Sequence, residues 1–145
     1  MCRPLHQVLP LSLLLSIAAA GCQCERTPEE EVAETMTQAL NCLIQGDGPG
    51  YACLIEGYNP TDSLRNGLYA LAVSQLHQED INRRGGQTNA HVTRVEMHPD
   101  TTATAYYVCH YANGDSIECA QRLVLQPDGW RLARTASLRQ QHNTP

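Results

Sequence analysis

From Thr27 onward, apolar residues recur first every three or four positions and later every second position. Val32, Met36, Ala39, Leu40 and Leu43 share one side of a helix, and Glu34, Gln38, Asn41 and Gln45 share the other. Thr27 as N-cap, Pro28 at the first helical position and Glu30 completing a capping box start this helix. Three early glutamates suit the positive end of its dipole, and Gly46 ends it after about 17 residues. Gly46-Asp47-Gly48-Pro49-Gly50 reads as a turn, and Tyr51 to Ile55 as one or two further helical turns. A second long helix starts near Thr61 or Asp62. Its apolar residues Leu64, Leu68, Leu71, Ala72 and Leu76, widened by Tyr69 and Val73, form an arc broad enough to touch two neighbours. Arg83-Arg84 and Gly85-Gly86 stop it.

Beyond Thr88 the period is two. Strands are predicted at about 90–97, 102–112, 116–126 and 130–136, with turns at His98-Pro99-Asp100, Asn113-Gly114-Asp115 and Pro127-Asp128-Gly129. For the middle hairpin, a two-residue Asn-Gly turn would mix polar with apolar side chains. A three-residue loop centred on Gly114 instead sets Cys109 opposite Cys119, with Tyr107, Tyr111, Ile117, Leu123 and Leu125 on their face. That closely spaced pair predicts a disulfide. The opposite face, with Tyr106, His110, Glu118 and Arg122, meets water, and Glu118 falls beside His110. Two or three helices packed on one face of a four-stranded antiparallel sheet make an α+β domain.

The N-terminus gives an address. Arg3 and His6 precede an apolar stretch, Val8 to Ala20, too short to span a bilayer, and small residues follow. This is the pattern of a secretory signal peptide. Because a cysteine comes directly after Ala20-Gly21, the segment resembles the signal of a bacterial lipoprotein, which implies acylation of Cys22 and a lipid anchor in a membrane. Ala18-Ala19-Ala20 also fits ordinary cleavage and release of a soluble chain from Gly21. Gln23, where an Asp would retain the protein at the inner membrane, suggests by resemblance to enterobacterial sorting the outer membrane. The organisation expected is a signal over 1–21, a tether over 22–26, one domain over 27–137 and a polar tail over 138–145. Five extended residues reach at most about 17 Å, so the domain sits close to its membrane.

Ten arginines and no lysine face fifteen acidic residues, for a formal charge of −5, and losing Arg3 with the signal makes the remainder more acidic still. No basic footprint exists for nucleic acid, which is set aside as a partner. Cysteine usage suits an oxidising compartment. Cys42 and Cys53 would close a loop of about twelve residues, stabilising by roughly 3 kcal/mol. Cys24 is left odd.

The capped helix opening at Thr27-Pro28-Glu29-Glu30, the Gly46-Asp47 stop, Asn113-Gly114-Asp115 and Pro127-Asp128-Gly129-Trp130-Arg131 together resemble one group. They are similar to small bacterial lipoproteins with a domain of unknown function in the nuclear-transport-factor-2-like, or cystatin-like, superfamily. The resemblance covers roughly residues 27 to 137. It implies a curved sheet wrapping the long helix as a cone, often with a pocket at its open end; the superfamily hosts both enzymes and binding proteins.

No catalytic set, cofactor motif or metal-ligand spacing stands out. His77, His91, His98, His110 and His142 are scattered and read as surface residues, and a redox or metal role for Cys22-Gln23-Cys24 would lose half its pair to acylation. Gln121 is the one clearly polar inward residue; with Tyr69, Tyr107 and Tyr111 it outlines a possible small-molecule pocket, or else bonds to backbone. The expectation is a membrane-tethered, non-enzymatic binding or interaction domain with an unidentified protein or small-molecule partner. The alternatives are a pocket enzyme using general acid–base chemistry and a structural scaffold assembling through Cys24 or the Tyr106 edge.

Overall fold

The computed structural model describes residues 25–134. Expectations for the signal, for Cys22 and Cys24 and for the tail lie outside them. The first helix, α1 (Pro28–Gln45), opens as its sequence dictates: the Thr27 hydroxyl accepts from the Glu30 N–H at 3.3 Å, and the Glu30 carboxylate accepts from the Thr27 N–H at 3.0 Å. A short helix, α2 (Gly48–Ala52), is capped by Asp47, and a long one, α3 (Ser63–Arg84), by Asp62. Strands β1 (Gln87–Met97), β2 (Thr102–Tyr111), β3 (Ser116–Gln126) and β4 (Gly129–Leu132) then pair antiparallel in the order β1-β2-β3-β4. Irregularities between Gln87 and Asn89 and between Val92 and Arg94 bend β1. The sheet curls into a half-barrel. Residues 54–56 extend its far edge, where the Leu132 N–H donates to the Leu54 carbonyl and Glu56 N–H to the Leu132 carbonyl.

Helix α1 fills the curl. Val32, Met36, Ala39 and Leu40 are almost wholly buried against Ala103, Ala105, Tyr107, Leu123, Trp130 and Leu132. Burying such side chains contributes about 1.5–3 kcal/mol for each large one, and makes this layer the main source of stability.

Two expectations are corrected. The middle hairpin pairs Cys109 with Ile117 and Tyr107 with Cys119, so Cys109 is a diagonal neighbour of Cys119 and not its partner. The reason lies in the turn. The loop is Ala112-Asn113-Gly114, closed by Tyr111 N–H to Asp115 carbonyl and Gly114 N–H to Tyr111 carbonyl, with Gly114 at φ +93°. A type I turn followed by a left-handed residue needs glycine last in a three-residue loop, not at its centre. The same shift sets His110 opposite Ser116 and Glu118 opposite Val108, removing the expected His110–Glu118 neighbours.

The second correction concerns α3. It lies chiefly against α2 and the end of α1, with Gly48 abutting the Ala70 backbone and the His77 ring beside Gly46. Val73 and Asp80 are its buried residues, whereas Leu64, Leu68 and Leu71 stay 75, 61 and 55 % exposed. Half of the expected apolar arc therefore faces outward.

Candidate functional site

Between α1, α3 and the sheet lies a narrow cleft. Met36, Leu43 and Leu76 form its helical wall, Gln87, Tyr107 and Gln121 its polar floor, with Tyr51, Cys109 and Cys119 beside them. Its volume is about 10 Å³, room for one water molecule. Gln121 donates through Nε2 to the carbonyls of Arg122 at 2.9 Å and Ala133 at 3.4 Å, so its amide is spent on backbone. The Gln87 Nε2 is buried with no hydrogen-bond partner in the structure. Burial pushes the Tyr51 hydroxyl up to about 12, helped by Tyr69 and Cys42. Burial likewise raises Tyr107, whose hydroxyl bonds to Cys119. These groups are neutral at ordinary pH.

Of the four residues read as a possible pocket, Tyr107 and Gln121 line this cleft. Tyr111 is buried beneath the Arg84 guanidinium, 5.0 Å from the ring centroid, and Tyr69 packs half-buried against the core. Sequence reading missed Gln87 and Tyr51. The glycine pair before Gln87 masked the true start of β1, and Tyr51 read only as part of a short apolar piece.

Near α2, the Cys53 thiol donates to the Pro49 carbonyl at 3.3 Å. Burial raises the Cys42 thiol, with Asp47 and Cys53 adding to the effect.

The outer face of the sheet is polar and interconnected. Arg94 lies over the Tyr106 ring at 3.9 Å and pairs with Glu96 at 3.2 Å, and the Tyr106 hydroxyl donates to the same carboxylate. At the β1–β2 turn, His98 Nε2 lies 2.9 Å from the Thr104 hydroxyl. There Asp100 accepts from Thr102 at 2.5 Å and from Arg122 at 3.0 Å, which holds its carboxyl below the usual range, the Thr102 bond first. His98, Asp100, Thr104 and Arg122 rim an open hollow of about 280 Å³. Further along, the rings of His91 and His110 stack, centroids 5.4 Å apart and planes 15° from parallel. Among the described residues no group of three or more His, Cys, Asp or Glu is arranged to hold a metal ion, and no helix is long and apolar enough to cross a membrane.

No family model matches the sequence, and no curated protein does. A search of solved structures finds the crystal structure of a "putative" nuclear-transport-factor-2-like transpeptidase from Campylobacter jejuni. It is 13% identical, with a TM-score of 0.55 over 70% of this chain and 96% of that one. At that identity the likeness speaks to architecture alone. Helices followed by a curled four-stranded antiparallel sheet, in this match, give the chain the nuclear-transport-factor-2-like α+β cone fold.

Proposed function

We propose that the chain is a lipid-tethered, non-enzymatic interaction domain of the bacterial cell envelope, held at a membrane through Cys22 and meeting a protein partner through the outward face of α3. The observation carrying this reading is the chemistry of that face. From Leu64 to Gln78 its exposed positions are Leu64, Gly67, Leu68, Leu71, Ser74, Gln75 and Gln78, with no charge among them. Arg65 is half-buried and donates to the Glu56 and Gly57 carbonyls. A helix facing only water normally places charges there. One lying on a membrane carries Lys and Arg on its polar side, and the exposed positions from Leu64 to Gln78 include neither. An uncharged surface with three leucines suits a protein partner that presents the same.

Support for the tether comes from the Arg3-to-Cys22 pattern and the short reach between Cys22 and Thr27. Against a pocket enzyme, general acid–base chemistry wants a carboxylate or histidine beside a substrate-sized cavity. The enclosed cleft has neither and has room for one water, and the hollow that His98 and Asp100 rim lies open at the β1–β2 turn and encloses no substrate. The transpeptidase name belongs to a structural neighbour 13% identical, a likeness that bears on architecture alone. In an oxidising envelope Cys42 and Cys53 would also close the expected disulfide.

The test has two arms on the full chain. Cys22→Ser should move the protein from the membrane to the soluble fraction. A photo-crosslinking residue at Leu68 should give a defined protein adduct in native membranes, absent when the same residue stands at Thr93 and lost when Leu71→Glu is added. Membrane partition that survives Cys22→Ser, or equal labelling from both positions, refutes the respective half.

A further inference from the structure

We infer that His91 and His110 form a two-imidazole chelating site for a borderline divalent transition metal of the Zn(II), Ni(II) and Cu(II) class. The residues are nineteen positions apart in sequence, and strand pairing joins them. His91 lies opposite Val108 and His110 opposite Asn89, so the two are diagonal neighbours on the outer face of adjacent strands. Their rings stack with centroids 5.4 Å apart. A metal bound at about 2.1 Å from each nitrogen bridges donors up to roughly 4 Å apart, so binding turns the rings out of the stack until one nitrogen of each faces the ion.

One ring is already anchored. His110 Nδ1 lies 2.8 Å from the Ser116 hydroxyl on β3, which engages one ring nitrogen and leaves Nε2 for a metal. Glu118 faces outward on β3 opposite Val108, and Arg94, the nearby cation on β1, is taken up by Glu96 and Tyr106. The chain is acidic overall, at −5, so its field favours a cation. Imidazole selects Zn, Cu and Ni over the hard cations Mg and Ca. Two protein nitrogens leave the remaining positions to water or to a partner's side chain, an open site and not a structural one.

The experiment titrates Ni(II) alone into the full chain in detergent, following heat and paramagnetic broadening of amide resonances. One equivalent should bind, broadening signals around residues 89–92 and 108–117. His91→Gln and His110→Gln, both surface changes checked for fold by circular dichroism, should each abolish it. Ser116→Ala should weaken it about 10-fold, the usual effect of removing a group that orients a ligand. His98→Gln and Cys53→Ser should leave it unchanged. Absence of saturable binding, binding that survives either His91→Gln or His110→Gln, or broadening centred on Cys53 would overturn the assignment.

Discussion

The same chemical change, glycine to alanine, should have opposite signs on two helices of this domain, and the difference follows from how α2 and α3 cross. A Cβ built on Gly48 would meet the Ala70 carbonyl oxygen at 2.5 Å, its Cα at 2.6 Å and its carbonyl carbon at 2.8 Å. All three atoms are backbone, so no rotamer relieves the clash and α2 must move off α3. Such overpacking costs about 1–3 kcal/mol. Alanine returns roughly 0.4–1 kcal/mol by restricting the unfolded chain. Gly48→Ala should therefore destabilise by about 1–2 kcal/mol. At Gly67, inside α3, a Cβ meets nothing within 4 Å. Gly67→Ala should gain the helix-propensity difference, about 0.8–1.0 kcal/mol. The two variants should thus differ by about 2–3 kcal/mol, and with a domain of this size moving some 4–8 °C per kcal/mol their melting temperatures should differ by roughly 10 °C or more. Urea denaturation of the full chain, with unchanged m, gives the same quantity independently. A Gly48→Ala variant as stable as the parent would mean that α2 and α3 do not touch here, and the outward placement of the α3 leucines would fall with it.

Four further outcomes test the remaining parts. Thr27→Ala removes one half of a capping box and should lower stability by about 1 kcal/mol, whereas Thr27→Asp should keep it. Arg84 bridges Asp80 and Asp115 at 3.6 Å each and covers Tyr111, so Arg84→Ala should cost about 3 kcal/mol in thermal unfolding; a loss under 0.5 kcal/mol would show that this latch is ornamental. Folding holds Tyr51 neutral up to about 12 against 10 when unfolded, so its contribution is intact below pH 10 and is lost as pH rises through 12, at about 1.4 kcal/mol per unit. Tyr51→Phe should flatten that alkaline slope in a denaturation series. Gln87→Met exchanges an orphaned buried amide for an apolar side chain of similar size and should stabilise by about 1 kcal/mol; a clear loss would reveal a water or ligand on Nε2.

How much of this was legible depended on whether a feature is decided locally. The α1 start was readable because Thr27 and Glu30 satisfy each other's backbone within one turn, whatever the rest of the fold does. The faces of β2 and β3 were readable too, since alternation alone assigns Tyr107, Cys109 and Leu123 inward. The register was not, because a slip of two residues leaves every side chain on its face, so burial cannot detect it. Only the turn distinguishes the alternatives, through which loop position demands a left-handed glycine. The same logic explains the two candidate sites. Periodicity locates an apolar arc on α3 but says nothing of what covers it, and α3 has more leucine than α1 and α2 can bury. His91 and His110 looked scattered because spacing along the chain is the wrong ruler for an antiparallel pair; their distance is set by the β1–β2 ladder, which depends in turn on the bulges that bend β1. The surfaces that bear on function here are those fixed by tertiary pairing. A residue change that removes the irregularity between Val92 and Arg94 should separate the two rings, because the pairing of His91 with Val108 and of Asn89 with His110 is counted from the turn through it.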